Sequence, residues 1–150
     1  MKDPLSAALA DARHSGVFHL AREPYEIERA GQAAGLAVRR IDIGHAHDKK
    51  DLLAHIARAL AFPAHFGGNW DALYDSLTDL DWLGQDAGGY VLVFEKSKHF
   101  GAGHKHEFDE SMEVLRAAAD YWRAKGRPFW VFVHGAQGWQ SGLPEWPAAH

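Results

Sequence analysis

Short continuous apolar runs alternate with stretches of helical periodicity along this 150-residue chain. The run 17–20, bounded by Gly16, predicts a brief strand. Pro24 suits a first helical turn and opens a helix through Tyr25, Ile27, Ala30 and Ala34, which Gly35 ends. Residues 36–43 read as a second strand, with Ile41 and Ile43 on one side and Asp42 on the other. Asp48 caps an amphipathic helix over about 49–61, built on Leu52, Leu53, Ile56, Ala57 and Leu60 and stopped by Pro63. A Gly67-Gly68-Asn69 turn follows, and Asn69, the chain's only asparagine, caps a short helix over 70–77. The uninterrupted run 90–94 has the signature of a strand covered on both faces.

A polar segment holding His99, His104 and His106 comes next. Phe108, Met112, Leu115, Ala119 and Trp122 then mark a long helix, closed by Lys125 and Gly126. Residues 129–133 form another fully apolar strand, and everything from Gly135 onward lacks periodicity and reads as a tail packed on the surface. Buried strands separated by helices imply an α/β fold: a small, three- or four-stranded, mostly parallel sheet packed by helices through right-handed crossovers.

Composition narrows the class. The chain is 47% hydrophobic and 24% charged, ordinary values for a folded domain, and it is long enough for one proper core. It has no cysteine, which excludes disulfides, thiolate nucleophiles, Cys-ligated zinc and iron–sulfur clusters. No apolar run reaches bilayer length, and the first residues make a poor secretory signal, so a cytoplasmic protein without membrane association is expected.

The net charge of −4 is uneven. Residues 59–95 contain six acids (Asp71, Asp75, Asp79, Asp81, Asp86 and Glu95) and neither Lys nor Arg. That segment repels nucleic-acid phosphates and attracts basic partners. Within it Trp70, Leu73, Tyr74 and Leu77 recur at helical spacing, and Asp71, Asp75 and Asp79 fall at i, i+4 and i+8 on a neighbouring stripe. Like charges so stacked weaken a helix, so stability alone does not account for them. Carboxylates held rigidly beside aromatic rings imitate a row of phosphates and suit an Arg- and Lys-lined cleft.

Catalytic and metal chemistry find little support. The 11 histidines include pairs at 45/47 and 104/106, but no helical i, i+4 pair with a flanking glutamate marks a zinc site. No G-x-S-x-G is present, and Ser76 lies in an acidic helix that opposes its activation. Gly67 and Gly68 are followed by Asn69 and acids with no lysine near, which argues against a phosphate cradle. No enzyme activity, metal or cofactor is expected.

The segment 62–83, with its Phe66-Gly67-Gly68-Asn69-Trp70-Asp71-Ala72-Leu73 turn and helix and its later Asp79, Leu80 and Trp82, resembles the signature of the barstar family, intracellular inhibitors of barnase-type ribonucleases. The resemblance runs over residues 36–134, leaving 1–35 as an N-terminal extension able to add a strand and a helix, and 135–150 as a C-terminal tail. It implies a partner-binding surface on the short helix and the loop before it. Asp75 matches the acid that enters the nuclease's phosphate site, Asp71 its companion one turn earlier, and Thr78 follows on the same edge. His65, Phe66, Gly67 and Asn69 match loop positions, and Tyr74 matches an aromatic contact. Asp79 adds charge at a glycine position, and Asp109 and Glu113 are expected to extend the negative rim from the long helix. The implied function is inhibition of a guanyl-specific ribonuclease, a secreted or toxin-type enzyme with a basic active site. The alternative is an immunity module for a different basic toxin or host protein.

Overall fold

In the computed structural model, which describes residues 4–63, 66–83 and 87–147, the runs that are apolar at every position lie in the middle of the sheet. In chain order the elements are α1 (Pro4–Leu9), β1 (Val17–Leu20), α2 (Pro24–Ala33), β2 (Ala37–Asp42), α3 (Lys49–Ala59), α4 (Trp70–Leu77), β3 (Tyr90–Glu95), α5 (Lys98–Gly103), α6 (Lys105–Ala124), β4 (Phe129–Val133) and β5 (Glu145–Trp146). The strands form one five-stranded sheet in the order β2-β3-β4-β1-β5, and every pairing is parallel.

Alternation along β3 and β4 explains their continuous hydrophobicity. Tyr90, Leu92, Phe94, Phe129, Val131 and Val133 face the core shared with α3, α4, α5 and α6. Val91, Val93, Trp130 and Phe132 face a second core with Leu9 of α1 and Ile27 and Ala30 of α2. The edge strand β2 carries its charges to the rim, where the Arg40 guanidinium reaches both oxygens of Glu95 at 2.7 and 2.8 Å. A charged edge of this kind opposes pairing with other chains.

The structure adds three elements that periodicity does not reveal, the first being the short helix α1. Helix α5 occupies part of the polar, histidine-bearing segment; Phe100, fully buried, is its apolar anchor. The residues after Gly135 do more than lie on the surface, since β5 extends the sheet to five strands. Trp146 packs on Phe132 and Trp130, with ring centroids 4.9 and 5.5 Å apart. Trp139 seats itself against Gly101 of α5 and Gly135, where a Cβ would collide with the indole. Gly101→Ala is therefore expected to destabilise the protein by about 1–3 kcal/mol through overpacking, measured as a lower urea midpoint. A neutral effect would show that Trp139 is not held there. No helix among the described residues is long and apolar enough to cross a membrane.

Candidate functional site

Helix α4 is fixed at both ends. At its start the Asn69 side chain accepts a hydrogen bond from the Ala72 amide at 2.7 Å, after Gly68 has turned the chain through a left-handed conformation with φ of +69°. At its end the indole N–H of Trp122 on α6 donates to the Leu77 carbonyl at 2.8 Å. Leu73 and Leu77 are fully buried, while Trp70 and Tyr74 are half-buried along the flank. Lys49 of α3 stands 4.7 Å above the Trp70 ring. This anchoring leaves the side chains of Asp71 and Asp75 exposed, one turn apart, and among the described residues neither forms an ion pair. Asp71 also lies in the first turn, where the helix dipole favours an acid.

The third acid of the expected row leaves the helix. Thr78 is the C-cap, its hydroxyl donating to the Tyr74 carbonyl at 2.9 Å, and Asp79 lies in the turn beyond. The chain turns there because Leu80 enters the core with φ of +52°, a left-handed conformation rare for a non-glycine residue. Asp79 therefore faces Asp81 instead of continuing the stripe. Desolvation, and then the neighbouring Asp81 carboxylate, hold its carboxyl above the ordinary aspartate range.

The loop before α4 is braced by Phe66, whose ring stacks edge-on against Phe62 at 5.0 Å and whose amide donates to the Pro63 carbonyl at 3.0 Å. Gly67 and Asn69 are exposed beside it, and His65 lies outside the described residues. Trp82 was not among the residues expected at the site, yet it is 37% exposed, one of two large exposed apolar side chains among the described residues. Its indole donates to the Leu60 carbonyl at 2.8 Å, and its ring meets Phe62 edge-on with centroids 6.2 Å apart. The signal was its place in the 62–83 motif, since no periodicity distinguishes it.

Asp109 and Glu113 are not brought to α4. They belong to a stripe of α6 with Arg116, Asp120 and Arg123, at i, i+4, i+7, i+11 and i+14. On that stripe Arg123 donates to the Ser15 carbonyl at 2.8 Å, just ahead of β1, and Asp109 and Glu113 border a cavity of about 210 Å³ with residues 141–143. The flank thus looks toward β1 and the C-terminal segment, whereas α6 meets α4 through Trp122. Both acids are also partnered within the helix: Lys105 is 2.6 Å from Asp109, and Arg116 is 2.5 Å from Glu113.

Among the described residues no group of three or more His, Asp or Glu side chains comes together in a way that could hold a metal ion. What the surface offers is fixed negative charge beside aromatic rings.

The chain belongs to the barstar family: the family model described as Barstar (barnase inhibitor) matches residues 36–134. The match spans β2 to the end of β4 and includes α4, and the family is one of inhibitors and not of enzymes. No curated protein matches the sequence. Among solved structures, the Aeropyrum pernix ORC2 protein, in its ADPNP–ADP complexes, is similar with a TM-score of 0.55 and 16% identity, over 81% of this chain and 35% of that one. This chain thus spans about a third of that protein's length, and the likeness is one of fold alone.

Proposed function

We propose that this protein is a non-catalytic, cytoplasmic inhibitor of a barnase-type, guanyl-specific ribonuclease, which it blocks by seating α4 and the preceding loop in the basic active-site cleft. The observation that carries the reading is the exposed Asp71–Asp75 pair, without an ion pair among the described residues, on a helix clamped at both ends inside the segment matched by the barstar family. Because both ends are fixed, little ordering entropy is lost on docking. Asp75 is the anchor that takes the place of a substrate phosphate, Asp71 reads the same cleft one turn away, and Tyr74, Thr78, Phe66, Gly67, Asn69 and His65 form the surround. Asp79 supplies further charge from the turn.

The test is a titration of a secreted guanyl-specific ribonuclease with the purified protein, following RNA cleavage. Stoichiometric loss of activity supports the reading, and full activity at saturating protein overturns it. Recovery from the source cell of a basic toxin without ribonuclease activity would favour the alternative immunity module.

The Asp79–Asp81 pair gives a second, independent readout. Asp79 has a raised pKa in the free protein, and a cationic cleft favours its ionised form. Binding in mildly acidic buffer therefore expels a proton, and affinity rises as pH climbs through that raised value. Calorimetry in two buffers of different ionisation heat is expected to show net proton release that Asp79→Asn removes. Identical heats in both buffers would place Asp79 outside the interface.

A further inference from the structure

The carboxyl ends of β2, β3 and β4 open onto a cavity of about 850 Å³, bordered by Gly44, His45, Lys96, Lys98, His99 and His134. Its size falls within the roughly 300–1,000 Å³ typical of small-molecule sites. It lies outside the carboxyl ends of three adjacent parallel strands, where the loops that follow them converge. No carboxylate contributes to its wall, although the protein as a whole is acidic. Asp42 stands behind Lys96, with an oxygen 3.3 Å from the ammonium and the other accepting from the Gly44 amide at 2.8 Å.

Lys96 is held in place by its backbone. It has φ of +57°, in the left-handed region that favours glycine. On one side of it the His134 amide donates to the Phe94 carbonyl at 2.8 Å, and on the other the amide of fully buried Ser97 donates to the His134 carbonyl at 3.0 Å. Glycine would satisfy that turn with less strain, and the lysine there sets its ammonium beside Asp42 at the edge of the cavity. Ala102 and Ala136 give the cavity an apolar side. The His99 ring stands edge-on to His47 and His104, with centroids 6.2 and 6.0 Å away, as a flat wall.

We propose that this carboxyl-edge cavity binds a small organic phosphate, its phosphoryl group held by Lys96 and Lys98 and its apolar body resting on His99, Ala102 and Ala136. Two ammonium groups with histidines suit a dianion. An apolar wall of this size suits more than an inorganic ion. The site uses none of the acids of α4, so it stands or falls separately from nuclease inhibition.

The experiment is an amide NMR titration of the full chain at constant ionic strength with phenyl phosphate, inorganic phosphate and phenol as probes. Saturable shifts centred on Lys96, Lys98, His99 and His134 are expected with phenyl phosphate, weaker binding with inorganic phosphate and none with phenol. Lys96→Gly removes the cation while relaxing the backbone, so it keeps the fold and is expected to weaken binding at least about tenfold, the loss of a charge-assisted contact. Lys98→Ala acts in the same direction, and Lys125→Ala, at the far end of α6, leaves affinity unchanged. The proposal is overturned by shifts that stay unsaturated through about 10 mM, an affinity ten times weaker than the millimolar range. Unchanged affinity in both pocket variants, or equal affinity for inorganic phosphate, overturns it as well.

Discussion

Asp75→Ala is expected to weaken inhibition of the target ribonuclease by about 30-fold to several thousand-fold, the range for removing one partner of a charge pair that becomes buried in a complex. In the free protein Asp75 is exposed and makes no ion pair among the described residues, so the substitution leaves folding stability nearly unchanged. That separation makes the measurement decisive. An inhibition constant that moves while the urea midpoint stays put assigns the effect to the interface. Asp109→Ala provides the contrast: its carboxylate lies on the flank of α6 facing residues 141–143 and is already paired with Lys105. It is expected to change inhibition by less than about threefold, as distant or rim charges do. Equal losses in the two variants would mean that diffuse negative charge, and not the α4 row, attracts the partner.

The largest expected effect on stability lies at Trp130. The residue is 1% exposed, stacks on Phe132 with centroids 5.6 Å apart, and donates its indole N–H to the Leu9 carbonyl at 2.7 Å. It thereby joins the middle of β4 to the end of α1. Trp130→Ala is expected to cost about 3–5 kcal/mol for the lost burial and the cavity. Losses of this size are a large part of the roughly 5–15 kcal/mol that holds a domain together. Trp130→Phe keeps most of the volume and isolates the hydrogen bond, at about 1–3 kcal/mol for the Leu9 carbonyl left without its donor. Urea denaturation measures both, and proteolysis within α1 is expected to accelerate in the phenylalanine variant. A cost below about 1 kcal/mol for the alanine variant would show that the core relaxes around the site, contrary to its close packing.

Residue pattern and tertiary structure agree most closely where burial is two-sided. The strands β3 and β4 were legible because every position faces one core or the other, so no polar residue interrupts them. The α4 cap was legible because Asn69 acts on amides within its own next turn. Helix α5 was hidden by its glycines and its single aromatic anchor, Phe100. Strand β5 was hidden because two residues carry no periodicity; Trp146 becomes part of the sheet only by stacking on Phe132 and Trp130, which lie far away in sequence.

The candidate site divides in the same way. Sequence spacing by itself determined that Asp71 and Asp75 share one exposed stripe of a short capped helix, since a helical period is a local property of the chain. It also carried the family, through a motif that spans one turn and one helix. Only the tertiary structure decided how long that helix is and what stands beside it. The Trp122 indole closes α4 at Leu77, and burial of Leu80 swings Asp79 away toward Asp81. The rotation of α6 against the sheet turns Asp109 and Glu113 toward residues 141–143, and the parallel strand order gathers Lys96, Lys98 and His134 around one cavity. These outcomes depend on contacts between residues far apart in the chain, set by which side chains must be buried together, and no local period encodes them.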